Sequence, residues 1–181
     1  MELLYWGLRN LEAGTASQNQ AFRSYAAQYN SLEIGSTYHR VPSMGTVARW
    51  RTRAPAGFRY SLIAPRVLRY LPTSAEHRAL RRFLHRAQAL GPALGAIHFL
   101  VPKVPGAAFS GWLEFLPPGQ FAFSLSPELA PYAEQAGHTV VNGGGSFKYL
   151  IDPNFSLDQV CGYAYFSAPA RVNIPHEKIS L

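Results

Sequence analysis

Short apolar runs alternate with segments of helical periodicity along the first half of this chain, and that alternation restricts it to few architectures. Leu3 to Leu8, Ser31 to Thr37, Phe58 to Ala64, Ala96 to Val101 and Phe121 to Leu125 read as strands. Thr139 to Asn142, Phe147 to Ile151 and Gly162 to Ser167 are weaker candidates. Between the early strands, Ala16 to Tyr29 carries Ala21, Phe22, Tyr25, Ala26 and Tyr29 at helical spacing. Ser43 is placed to cap a short helix that carries Val47 and Trp50 and ends before Pro55. Thr73-Ser74 opens the most regular helix, which runs to about Leu90 with Leu80, Phe83, Leu84, Ala87 and Leu90 on one face and stops at Gly91-Pro92. Strand, helix, strand in succession calls for a parallel sheet with crossover helices.

The second half breaks this rhythm. Only Gly143-Gly144-Gly145-Ser146 separates the sixth and seventh strands, whereas a parallel crossover takes about a dozen residues or more. Helices are therefore expected mainly over the first half, with the rest tightly looped or incomplete. At 181 residues, with 48% of them apolar, the chain suits one domain spanning residues 1–181.

Several classes of chemistry find no support. The single cysteine, Cys161, excludes an internal disulfide and a cysteine-based zinc cluster, and the six histidines lack metal-ligand spacing. Gly143 to Lys148 is glycine-rich, but its lysine follows Phe147 rather than preceding Ser or Thr at the mouth of a helix, so it reads as a tight turn. No cofactor is expected. No apolar stretch reaches the roughly 18 residues that span a bilayer, and the start of the chain has no leader pattern, so no membrane partner and a cytoplasmic location are expected. The formal charge is +7, and eleven arginines against one acid, Glu76, lie between Arg40 and Arg86. Arg78, Arg82 and Arg86 recur every fourth residue as a stripe on the long helix, a candidate nucleic-acid contact without an accompanying motif.

One stretch carries a family resemblance. Tyr29-Asn30-Ser31-Leu32-Glu33-Ile34-Gly35-Ser36-Thr37-Tyr38-His39-Arg40-Val41-Pro42-Ser43 resembles the signature of the YecE-like family (domain of unknown function 72). Agreement continues through Thr46 to Trp50, Pro55, Gly57 to Ser61 and Ala64-Pro65-Arg66, and then through Leu94 to Pro102. The resemblance implies a TIM-type (β/α)8 barrel and no settled activity. Such barrels usually need roughly 250 residues, so the expectation is a compacted or incomplete barrel. Where relatives usually carry a lysine, a glutamine and a Glu-Phe-Arg-His run, this chain has Ile63, Leu100 and Ser124-Leu125-Ser126-Pro127. A Gly-Trp-Ser-Tyr-like element is replaced by Gly7-Leu8-Arg9-Asn10. The resemblance thus implies a strand-end site stripped of much of its polar equipment.

Barrels of this type place chemistry at the carboxyl ends of their strands. Glu33 is the one acid in a matched strand and shares a face with Ser31 and Gly35. A carboxylate buried there must be paired, with Arg40 and Arg66 as expected partners. Glu33 and His39 are the acid–base candidates. Ser36, Thr37, Tyr38, Arg40 and Arg66, with Asn10, Ser124 and Asn142, are candidate ligands for a small anion. An enzyme here would be a cofactor-independent hydrolase, lyase or isomerase. The alternatives are a basic module associated with nucleic acid and a barrel retained without catalysis for protein interaction.

Overall fold

The structure, a computed structural model, describes residues 4–8, 19–143, 147–150 and 162–166. In chain order the elements are β1 (Leu4–Leu8), α1 (Asn19–Ala26), β2 (Ser31–Ile34), a 3-10 turn (Gly35–Tyr38), α2 (Met44–Arg53) and β3 (Arg59–Ile63). Then come α3 (Ser74–Gln88), β4 (Leu94–Leu100), α4 (Gly106–Leu113), β5 (Phe121–Ser124), α5 (Ala130–Gln135), β6 (Thr139–Val140), β7 (Phe147–Leu150) and β8 (Gly162–Phe166). The strands form a five-stranded sheet in the order β2-β3-β4-β5-β6 and a three-stranded sheet in the order β1-β8-β7. Every ladder in both is parallel.

The local chemistry explains the boundaries. Ser43 caps α2 by accepting the Thr46 N–H at 3.1 Å, and Thr73 does the same for Glu76 at the start of α3. β2 stops at Ile34 instead of running to Thr37. The Thr37 hydroxyl lies 2.8 Å from the Ile34 carbonyl and 2.7 Å from that of Ile63, and it accepts the Ile63 N–H at 3.0 Å. A side chain thus takes the place of ladder bonds at the ends of both strands. The second half is less bare of helix than its sequence suggests, because α4 and α5 follow β4 and β5. α4 reads Gly-Ala-Ala-Phe-Ser-Gly-Trp-Leu. It has two glycines and no charged face, so it lacks the amphipathic signature by which a helix is recognised.

Strand alternation sorts the core into two parts. Leu32, Ile34, Leu62, Ile97, Phe99 and Phe123 face the helices, packing with residues such as Val47, Leu80, Phe83 and Trp112. The opposite faces bring together Ala96, Ala122, Phe147, Tyr163 and Tyr165 from both sheets. Strands buried on both faces account for the near-continuous apolar runs.

Besides this shared cluster, the edges of the two sheets approach each other at β1–β2 and at β6–β7. A Cβ on Gly7 of β1 would sit 1.9 Å from the Ser31 carbonyl oxygen of β2 and 2.6 Å from the Tyr25 hydroxyl. That hydroxyl donates to the same carbonyl at 2.6 Å. On the other side, Asn142, in the left-handed region at φ 61°, donates its N–H to the Phe147 carbonyl of β7. Lys148 donates to the Gly143 carbonyl across the same turn. Gly144 to Ser146 and Cys161 lie outside the described residues.

Two features fix the β3–β4 edge. Between Tyr60 and Leu62 the partner on β4 advances from Leu94 to Ile97, an extra residue that takes Ala96 out of register. The Ala96 N–H donates to the Ser61 hydroxyl at 3.0 Å instead. Beyond β3, Tyr70 holds a left-handed φ of 58°. The buried Glu76 carboxylate secures that bend by accepting the Arg69 and Tyr70 N–H groups at 2.8 and 2.9 Å.

Two outcomes follow for stability. Gly7→Ala drives a methyl group into a backbone carbonyl, and overpacking of this kind costs about 1–3 kcal/mol; a lowered urea midpoint in the variant checks it. His138 lies half-buried between Phe121 and Phe123, and burial lowers its pKa from 6.5. The unfolded chain then takes up the proton first as pH falls through 6.5, so stability declines from there towards the lower folded value. Denaturation midpoints at stepped pH should show this decline, and His138→Leu should flatten it.

Candidate functional site

Glu33 is the third residue of β2, with Ser31 on the same face and the apolar Leu32 and Ile34 on the helix side. It stands opposite Ser61 in the β2–β3 ladder, and one strand further on Ile63 stands opposite His98. Glu33 and His98 therefore meet across β3 from alternate strands of the five-stranded sheet. Both are completely buried. His98 Nδ1 lies 3.3 Å from Glu33 Oε2, and His98 Nε2 lies 2.8 Å from Ser124 Oγ at the carboxyl end of β5. Ser124 is half-buried, so this row of carboxylate, imidazole and hydroxyl leads from the interior towards solvent. Phe147 packs on the imidazole with ring centres 5.3 Å apart.

A second polar layer lies beneath it. The Tyr165 hydroxyl is 2.6 Å from Ser31 Oγ and 2.7 Å from Ser61 Oγ. Ser31 Oγ also reaches the Arg59 carbonyl at 3.0 Å. Complete burial pushes the phenol well above its ordinary value of 10 despite these bonds. Tyr165 is therefore a neutral donor at any physiological pH and serves to hold two strands, not to titrate. Gly95 makes room for the arrangement, since a Cβ there would meet Ser61 Oγ at 2.7 Å.

The structure draws together some of the residues singled out from sequence and separates others. Glu33 and Ser124 are joined through His98, which the sequence reading passed over. Its signal was a lone histidine inside the apolar run Ala96 to Val101, on the face shared with Ala96 and Leu100. Among the described residues Glu33 meets His98 and not Arg40 or Arg66, because both arginines are exposed at loop positions while His98 shares the buried layer. His39 is exposed and sits edge-on to Tyr38. Tyr38 gives its carbonyl to the Arg66 N–H, and Thr37 is committed to the strand ends. Asn142 is exposed at the β6–β7 turn, and Asn10 lies outside the described residues. Ile63 is buried on the face of Ser61, and Leu100 is half-buried on the face of His98. Ser36, Thr37 and Arg40 line one cleft together with Arg82 and Arg86, whereas Arg78 lines a separate groove. Among the described residues no three His, Cys, Asp or Glu side chains converge to hold a metal, and no helix is long and apolar enough to cross a membrane.

The family described as protein of unknown function DUF72 matches residues 5–125, well over half of the chain. Two crystal structures of a DUF72 family protein from Enterococcus faecalis are similar. One is 14% identical with a TM-score of 0.57, over 78% of this chain and 62% of that one. The other is 15% identical with a TM-score of 0.61, over 77% and 60%. A DUF72 family protein from Thermotoga maritima is 13% identical with a TM-score of 0.60, covering 91% of each chain. The chain thus spans about three-fifths of the Enterococcus protein's length and nine-tenths of the Thermotoga protein's. No curated protein matches the sequence.

Removing Glu33 takes a polar partner from a completely buried imidazole that keeps its Ser124 bond, a loss of about 1–3 kcal/mol, whereas replacing both polar groups together by apolar ones costs far less. Glu33→Leu should therefore show a lowered midpoint in guanidinium unfolding. Glu33→Leu with His98→Leu should recover much of the loss.

Proposed function

Because this chain belongs to the DUF72 family, whose function is unknown, its chemistry has to be read from its own residues, and we propose a cofactor-independent hydrolase with Ser124 as its nucleophile. The observation that carries this reading is the placement of His98 between Ser124 Oγ at 2.8 Å and Glu33 Oε2 at 3.3 Å. A carboxylate accepting from Nδ1–H fixes the tautomer that leaves Nε2 basic towards the hydroxyl. Ser124 Oγ would attack a carbonyl carbon while its proton passes to His98 Nε2. The imidazolium, stabilised by Glu33, would then return that proton to the leaving group, and water would repeat the cycle on the acyl-enzyme. Glu33 is here a positioning residue, Ser124 is the member of the row open to the substrate, and the buried His98 moves the proton along its bond to Ser124.

We further infer that this site stands at the carboxyl ends of one closed, compacted (β/α)8 barrel, a single domain working in the cytoplasm. The close approach of Gly7 to Ser31, the Asn142–Phe147 bond and the interior cluster drawn from both sheets support closure. A single cysteine fits a reducing compartment. A second reading has its own support: Ile63 and Leu100 present apolar side chains on the same inner faces, as in a barrel whose polar row has become purely structural.

A fluorophosphonate probe separates the two. Covalent labelling located by mass spectrometry at Ser124, lost in Ser124→Ala and slowed about a hundredfold or more in His98→Gln, is the expected outcome. A folded protein that no serine-directed probe labels would leave the structural reading in place.

A further inference from the structure

We propose that the cleft between the Gly35–Tyr38 turn, α2 and α3 binds a small molecule bearing a phosphate group on an apolar body. The cleft encloses about 500 Å³, within the roughly 300–1,000 Å³ typical of small-molecule sites. Arg40 reaches it from the loop after the turn, and Arg82 and Arg86 reach it from α3. Its lining contains no acidic side chain. Among the described residues none of these three arginines has a carboxylate within ion-pair distance.

Arg82 and Arg86 are four residues apart on one helix, a spacing at which like charges repel. With Arg40 facing them, the cleft gathers uncompensated positive charge that a doubly charged anion would neutralise. Guanidinium forks match phosphate oxygens geometrically, and arginine suits this task better than lysine. α2 begins on the same cleft at Ser43 and Thr46, and its first turn carries no acid. The positive end of the helix therefore adds to the field. The remaining wall includes Trp50, an apolar surface suited to the body of the ligand and not to its charge.

The same arginine-rich helix offers a nucleic-acid strand a different surface. Arg78 and Arg81 line a separate groove beside Phe115, and Arg82 borders both. The two occupants therefore depend on different arginines: Arg40 and Arg86 for a compact phosphate ester, Arg78 and Arg81 for a polymer lying along α3.

Isothermal titration of the full chain with phenyl phosphate, phenol and a twelve-residue oligothymidylate at fixed ionic strength tests this. Phenyl phosphate should bind and phenol should not. Affinity should fall about tenfold or more in Arg40→Met and in Arg86→Met, as expected for losing a charged hydrogen-bonding partner, and stay unchanged in Arg81→Met. Methionine keeps the apolar stem, and a circular-dichroism melt of each variant checks that it is folded. Arg40 lies on an exposed loop, so its variant serves even if Arg86→Met is unstable. Absence of phenyl phosphate binding, equal binding by phenol, or equal affinity in Arg40→Met would overturn the proposal. Oligothymidylate binding that depends on Arg78 and Arg81 but not on Arg40 would overturn it in favour of the polymer.

Discussion

A carboxylate and an imidazole, both sealed from water in the middle of a sheet assembly, set the terms for much of what surrounds them. A buried carboxylate needs polar partners, since an unpaired buried charge costs far more than a surface ion pair returns. Their separation across β3 therefore fixes the relative position of β2 and β4. The layer below repeats the device without charge, as three hydroxyls from Ser31, Ser61 and Tyr165 hold β2, β3 and β8 together. Apolar packing against the helices gives the bulk of the stability, while these polar links fix the register.

The helical side of the structure was largely legible in the sequence. α3 announces itself through a capping threonine, a full apolar face and a Gly-Pro stop, and the observed helix follows it closely. α4 did not, because its outer face is made of glycine, alanine and serine, which give little contrast to the buried Phe109, Trp112 and Leu113. The short strands were found with ends displaced by a few residues. Those ends are set by side chains such as Thr37 that bond backbone far away in sequence, and no local pattern records such a bond.

The candidate surfaces were legible as residue types but not as groupings. Glu33 and Ser124 were each singled out, yet the histidine that joins them lies 65 positions beyond one and 26 before the other. Arg40 and the α3 arginines read as parts of two separate features, and only the folded arrangement of α2, α3 and the turn after β2 makes them neighbours. His39, attractive because it follows a matched strand, lies out in solvent. Spacing along the chain reports which face of one element a residue occupies, whereas a site is made where several elements converge.

Ser61 shows what this architecture asks of the chain as it emerges during synthesis. Its hydroxyl receives the Ala96 N–H from 35 residues away and the Tyr165 hydroxyl from 104 residues away. The first bond is available once β4 has been made, so the β2-to-β4 edge can assemble early. The second must wait for β8, and until it arrives the Ser31 and Ser61 faces of β2 and β3 stay wet. Contacts between such distant segments form late and slowly. These Ser31 and Ser61 hydroxyls therefore gain their Tyr165 partner only when β8 arrives, and truncation before β8 would leave them open to water.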